Sequence, residues 1–77
     1  MHLNIHDTTT ERFMDRLVQE LRRRREAKGI SQEALNDRIG VADCLVAKWE
    51  TGQKRPSPRY VWLWAEALDA ELVLVFR

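Results

Sequence analysis

Apolar residues recur at three- and four-residue intervals in the first part of the chain, which is the period of a helix with one buried face. Thr8 and Glu11 have the spacing of a capping box, in which two side chains bond to backbone N–H groups of the first turn. Gly29 is suited to end this helix, because glycine accepts the left-handed conformation found after many helices. The pattern predicts a helix from Thr8 to about Lys28. Its apolar stripe consists of Phe13, Met14, Leu17, Val18 and Leu21.

Two shorter helices are predicted on either side of Gly40, which permits a sharp turn because positive φ costs glycine no steric energy. The earlier of the two has Ser31 as its N-cap. The later one begins at about Ala42 or Asp43 and runs to Glu50. Two helices this short bury little apolar surface by themselves, and such a pair exposes one helix for contact with a partner. For a chain of this size the expected partner is the major groove of DNA.

A fourth helix is predicted after Ser57 and Pro58, an N-cap followed by proline at the first helical position. Its core stripe consists of Val61, Trp64, Ala65 and Leu68. Trp49 and Trp64 are expected in the core. Trp62 falls off the stripe, so we expect it to be half exposed or to lie at a subunit contact.

Residues 71–76, ELVLVF, are apolar on both faces and rich in branched side chains, which indicates a strand. No other segment has a strand pattern, so this strand must pair with a copy of itself in a second chain or with a partner. A frayed apolar tail or an extra helical turn is the alternative. The chain therefore divides into a tail at 1–7, a helical domain at 8–70 and a strand at 71–77. The predicted fold class is mostly α, with four or five helices.

Length and composition restrict the class of protein. A chain of 77 residues corresponds to one domain. At 44% hydrophobic and 32% charged it is globular rather than disordered. Its single cysteine excludes an internal disulfide and fits a reducing compartment. No apolar run reaches the roughly 20 residues that span a bilayer. The first residues lack the layout of a signal peptide, so we expect a cytoplasmic protein.

The formal net charge of +1 is small for a nucleic-acid-binding protein, but the charge is segregated. Residues 21–30 carry five basic and one acidic side chain, and residues 48–59 carry four basic and one acidic. Two local basic blocks are enough for an electrostatic footprint on nucleic acid. Solvated helix faces are the alternative interpretation.

No set of residues predicts catalysis. The chain lacks a nucleophile with an activating base, a glycine-rich phosphate loop and a carboxylate pair in a plausible pocket. His2 and His6 lie in the tail and Cys44 is the sole cysteine, so we expect neither a metal nor another cofactor. We therefore expect a protein that is not an enzyme.

Several residues between Leu21 and Leu72 recur in a known family. They are Arg25, the Gly29-Ile30-Ser31-Gln32 junction, Leu35, Gly40, Val41, Val46, Glu50, Gly52, Pro56 and Ala67-Leu68. On these residues about two-thirds of the chain resembles the lambda-repressor-like helix-turn-helix domain, the Cro or XRE type of bacterial and phage regulators. The C-terminal strand is similar to that of antitoxins of the HipB kind, in which the two chains of a dimer share a small sheet.

Three residues depart from the family pattern. Asn36 stands where alanine is usual, and a buried asparagine needs hydrogen-bond partners, so it caps, bridges or holds the helices slightly apart. Ala42 stands where serine or threonine commonly caps the third helix. Asp43 can take over that cap or favour the helix dipole, but its carboxylate would repel phosphate.

The exposed face of the third helix supplies the candidate base contacts, which are Asp43, Cys44, Ala47 and Lys48. Lys48 can donate to guanine O6 and N7 or to a phosphate. Asp43 either accepts from cytosine N4 or serves only as a cap. Cys44 can lie against a thymine methyl group.

The candidate phosphate contacts are Ser31, Gln32, Lys54, Arg55 and Arg59. The resemblance implies the role of Gln32, while Lys54, Arg55 and Arg59 follow from their basic loop. Arg22–Arg24 either touch a further phosphate or form a solvated face, and we favour the second. The resemblance also implies a structural ion pair of Arg25 with Glu50, which ties the first helix to the third.

The leading hypothesis is a sequence-specific DNA-binding regulator, a repressor, that acts as a homodimer on a pseudo-palindromic operator. An antitoxin with a toxin partner and a prophage regulator are two forms of it. The dimerisation residues would be Leu72, Val73, Leu74, Val75 and Phe76. The alternative is a protein-interaction module that has the same fold and does not bind DNA. Three features favour it: Asp43, the low net charge and the apolar tail.

Overall fold

A computed structural model describes residues 8–73 of the chain, in which four helices and no strand occur. The helices are α1 (Thr8–Ala27), α2 (Gln32–Ile39), α3 (Leu45–Glu50) and α4 (Pro58–Ala67). The mostly helical fold class is confirmed, with four helices in this range. The N-terminal tail at 1–7 lies outside the described residues, as do Leu74, Val75 and Phe76 of the predicted strand.

Local signals explain most of the helix ends. Gly29 takes φ of +68°, and the N–H of Ile30 bonds back to the carbonyl of Arg25 at 3.1 Å, which closes α1. The Ser31 hydroxyl accepts from the N–H of Ala34 at 3.0 Å and so caps α2. Ser57 does the same for α4, with Pro58 at the first helical position.

The third helix begins later than the sequence predicts. It starts at Leu45, and the two preceding residues, Asp43 and Cys44, form a turn. Cys44 has φ of +66°, a left-handed conformation that non-glycine residues seldom adopt. The prediction of a start at Ala42 or Asp43 was wrong. The N–H of Val46, which would have bonded within a longer α3, instead donates to the side-chain oxygen of Asn36 in α2.

The core lies where the four helices converge. α2 packs against both α3 and α4, and α3 packs against α1. The indole rings of Trp49 and Trp64 stack with their centroids 5.5 Å apart, so both tryptophans are buried as predicted. Phe13 was predicted in the buried stripe but is 63% exposed, whereas Met14 and Leu17 of the same stripe pack against the core. The buried apolar residues are Val18, Leu21, Leu35, Val46, Trp49, Val61, Trp64, Ala65 and Leu68.

Candidate nucleic-acid interface

A buried ion pair fixes the C-terminal end of α3. Nε and Nη2 of Arg25 donate to the two carboxylate oxygens of Glu50 at 2.7 and 2.9 Å, and Nη1 donates to the carbonyl of Ile30 at 2.8 Å. The hydrogen bonds to Glu50 raise the pKa of Arg25 above the ordinary arginine value, against the opposing effect of burial. The structure thus brings together the two residues that the family resemblance pairs, and they join α1 to α3.

The same carboxylate holds the start of α2. Nε2 of Gln32 donates to Oε1 of Glu50 at 2.8 Å, and Nε2 of Gln19 donates to the backbone carbonyl of Glu50 at 3.3 Å. The N-terminal end of α2 therefore lies beside the C-terminal end of α3. A carboxamide nitrogen carries two hydrogens, so Gln32 has one N–H left with which to reach a phosphate.

The basic loop leaves α3 at this same end. The N–H of Lys54 bonds to the carbonyl of Lys48 at 3.1 Å, which turns the loop back along the helix. Lys54 and Arg55 are exposed, and Pro56, which follows them, is buried. Arg59, in the first turn of α4, is exposed as well. Three exposed cationic side chains therefore lie in the segment that follows α3.

The predicted base contacts divide into two groups. Asp43 and Cys44 are exposed in the turn before α3. Ala47 and Lys48 lie on α3 itself and are partly buried. The sequence predicted that all four residues lie on one face of the third helix. In the structure they do not, because α3 is shorter than predicted.

A groove with acidic walls opens at the N-terminal end of α3. Its volume is about 370 Å³, and it is lined by Glu33, Asn36, Asp37, Asp43 and Cys44. Sequence reasoning missed the contribution of Glu33 and Asp37. The signal was available, since residues four apart on a helix share a face. The candidate interface is therefore electrostatically polarised, with donors at one end of α3 and carboxylates at the other.

The arginines of the first basic block are largely engaged with carboxylates. Nη1 of Arg23 lies 2.8 Å from Glu20, and Nε of Arg22 lies 3.7 Å from Glu26 and 3.8 Å from Glu50. The pairs with Glu20 and Glu26 are exposed, and such pairs fit a solvated helix face better than a phosphate-binding surface.

Apolar side chains are exposed near the end of the described chain. Leu72 is 50% exposed and Val73 is 71% exposed, and neither belongs to a strand within residues 8–73. Trp62 is also exposed, as its position off the core stripe predicted. These two aliphatic residues are the described part of the predicted dimerisation segment.

The described residues contain no group of His, Cys, Asp and Glu side chains able to hold a metal ion. Between residues 8 and 73 no helix is both long and apolar enough to cross a membrane.

Comparison with known proteins identifies the family. A helix-turn-helix family model matches residues 21–75, which is well over half of the chain and includes α2, α3 and the basic loop. Searches of curated proteins and of solved structures give no significant match. The matched segment covers the residues that carry the resemblance noted from the sequence. The chain therefore belongs to the Cro/XRE-type helix-turn-helix family of DNA-binding transcription regulators.

Proposed function

We propose that this protein is a sequence-specific double-stranded DNA-binding repressor that acts as a homodimer on a pseudo-palindromic operator. The α3 helices of two protomers would enter successive major grooves about 34 Å apart, and occupation of a promoter would block transcription.

The observation that supports the proposal best is the convergence of hydrogen-bond donors at the C-terminal end of α3. Glu50 draws the start of α2 to this end through Gln32, and the backbone bond between Lys54 and Lys48 draws the basic loop to it. Backbone phosphates line the major groove that a recognition helix enters, so donors grouped beside one end of α3 are suited to contact them. In this proposal Ser31, Gln32, Lys54, Arg55 and Arg59 contact phosphates.

Base reading in this proposal falls to the exposed residues of the turn and to two partly buried residues of α3. Lys48 donates to guanine or to a phosphate, and Asp43 accepts from cytosine N4. Cys44 and Ala47 offer small surfaces that fit against a thymine methyl group. The capping role is less suited to Asp43, since the bond that caps α3 comes from Asn36.

The dimer in this proposal forms through the C-terminal segment, in the HipB-like manner that the resemblance implies. The exposure of Leu72 and Val73 supports it, because contiguous apolar side chains at a surface favour burial against a partner. An antitoxin role, with a toxin as second partner, and a prophage role are two forms of the same proposal.

The experiment that tests the proposal is selection of duplexes from a random pool, followed by measurement of affinity as a function of salt. We expect a selected site with two related half-sites, and affinity that falls steeply between about 50 and 200 mM salt because several phosphates are contacted. A protein without measurable duplex affinity at low salt would refute DNA binding. Selected sites without internal symmetry would refute the homodimer on a pseudo-palindrome.

A protein-interaction module with the same fold is the second candidate, and the carboxylates of Glu33, Asp37 and Asp43 favour it. Their negative charge lies where the proposed DNA would approach, and like charges repel. This candidate predicts no duplex binding at any salt concentration, so the same titration separates the two functions.

A further inference from the structure

Asn36 bonds to both ends of the turn between α2 and α3. Its backbone carbonyl accepts from the N–H groups of Gly40 and Val41 at 2.8 and 3.1 Å, which closes the C-terminal end of α2. Its side-chain oxygen accepts from the N–H of Val46 at 3.0 Å, at the start of α3. The residue is only 3% exposed. One buried asparagine therefore holds the turn at its beginning and at its end.

The bond to Val46 takes the place of a cap that α3 lacks. The N-cap side chain of a helix usually accepts from the second or third N–H of that helix. Cys44 occupies the N-cap position here and makes no such bond. Val46 is the second residue of α3, so the oxygen of Asn36 stands where the oxygen of a local cap would stand.

The same bond determines where α3 begins. If the helix started at Asp43, the N–H of Val46 would bond to the carbonyl of Ala42, four residues earlier. In the structure that N–H bonds to Asn36, and Ala42 accepts from Leu45 at 3.3 Å instead. A side chain that competes for a backbone N–H in this way interrupts helix formation. Asp43 and Cys44 consequently remain outside the helix, in a turn with positive φ.

We infer that Asn36 is a positioning residue for DNA recognition: by capping α3 from α2, it holds Asp43 and Cys44 in a turn and so sets the direction from which they meet the bases. This inference rests on the proposed function. It assigns Asn36 no contact with DNA. Its effect on recognition passes through the backbone of the turn, whereas Lys48, inside α3, keeps its direction with or without the cap.

The cap is tested on the free protein by amide hydrogen exchange. Asn36→Ala should lower the protection of the Val46 amide about tenfold relative to the amides of Leu21 and Trp64, since an unsatisfied buried donor opens more readily. Asn36→Asp keeps an acceptor in the same place and should retain the protection. Val46 could stay protected if Ala42 became its acceptor, but α3 would then be longer and Cys44 would lose its positive φ. Unchanged protection of Val46 in Asn36→Ala, with Cys44 still at positive φ by its backbone coupling constant, would overturn the inference.

The positioning role is tested with a variant that moves the cap. In Asn36→Ala with Ala42→Ser, the serine hydroxyl can accept from the N–H of residue 44 or 45, so that α3 can begin at Asp43. This double variant also serves if Asn36→Ala alone does not fold. Duplex selection with it should change the base preference at the positions nearest Asp43 and Cys44 and leave the preference at Lys48 unchanged. The same preferences as those of the unaltered protein would overturn the inference.

The two experiments separate failure of the inference from failure of the proposed function. If the unaltered protein selects no duplex, the proposed function fails, and the positioning role in recognition fails with it, whatever the exchange experiment shows. If the unaltered protein selects a site while Asn36→Ala keeps both the protection of Val46 and the positive φ of Cys44, the proposed function stands and the inference alone is overturned.

Discussion

Arg25 and Glu50 are 25 residues apart in the chain, yet two guanidinium nitrogens of one lie 2.7 and 2.9 Å from the two carboxylate oxygens of the other. The arginine side chain is 10% exposed and the glutamate side chain 1%. A bidentate pair in such a setting satisfies both charges by hydrogen bonding. It also connects α1, the end of α3 and, through Gln32, the start of α2. The packing of α1 on α3 and the arrangement of the candidate interface therefore both depend on the carboxylate of Glu50.

Removal of that carboxylate is expected to be costly. Glu50→Ala should lower the free energy of unfolding by about 3–5 kcal/mol, because it leaves Arg25 charged and buried without its partner. Urea denaturation followed by circular dichroism measures the difference. Glu26→Ala is the matched control, because Glu26 forms an exposed pair with Arg22 and its loss should cost less than about 1 kcal/mol. Equal costs for the two variants would contradict the structural role of Glu50.

The contribution of Arg25 to the free energy of unfolding should not depend on pH in the neutral range. The pKa of Arg25 is raised in the folded state, so its stabilising effect is fully present below the ordinary arginine pKa and is lost only as the pH rises through the raised value. The difference in unfolding free energy between the unaltered protein and Arg25→Ala should stay constant from about pH 6 to about pH 9. A difference that shrinks over this interval would show that another group governs the pair.

The basic loop is expected to act on all DNA sequences alike. Lys54→Ala combined with Arg55→Ala should weaken binding to specific and random duplexes to a similar degree. It should also reduce the slope of log affinity against log salt by up to about 2, roughly 0.9 for each lost phosphate contact. Arg23→Ala is the control, because Arg23 is an exposed arginine of α1 that pairs with Glu20. An unaltered slope in the double variant would remove both loop residues from the phosphate contacts.

Asp43 should contribute to specificity more than to affinity. If its carboxylate accepts from cytosine N4, Asp43→Ala, which leaves no acceptor, should relax the preference at one base pair by about 1–3 kcal/mol and strengthen binding to random duplexes. Asp37→Ala removes a carboxylate from the same groove and controls for the change in charge. If Asp43→Ala and the unaltered protein prefer the same bases, Asp43 has no reading role.

The left-handed conformation of Cys44 should affect the relative stability of variants at this position. In a helix interior alanine is better than glycine by about 1 kcal/mol, but at φ of +66° a Cβ atom is unfavourable and the order should reverse. We expect Cys44→Gly to be more stable than Cys44→Ala by up to about 1 kcal/mol in thermal unfolding. The opposite order would place Cys44 inside α3.

The C-terminal segment is expected to carry dimerisation. Deletion of residues 72–77 should convert a dimer into a monomer, as measured by the mass in light scattering, because Leu72 and Val73 present exposed apolar surface. Phe13→Ser removes a comparably exposed apolar side chain from α1 and should leave the mass unchanged. A mass that the deletion does not alter would refute pairing through this segment.

Helices whose ends depend on neighbouring residues could be predicted from the chain alone. Ser31 and Ser57 lie within three residues of the N–H groups that they cap, and Gly40 adopts its positive φ without help from other residues. Such signals act over one helical turn, so they can be recognised before the fold is known. The family resemblance supplied the pairing of Arg25 with Glu50, which no local pattern contains.

Contacts between distant segments set the start of α3 and the side chains that surround its two ends. The acceptor for Val46 is ten residues away on another helix, and Gln32 meets Glu50 across 18 residues. Phe13 has the spacing of a core residue, but in the structure it is exposed. These outcomes depend on which groups compete for one N–H or one patch of apolar surface. That competition is settled only when distant segments come into contact.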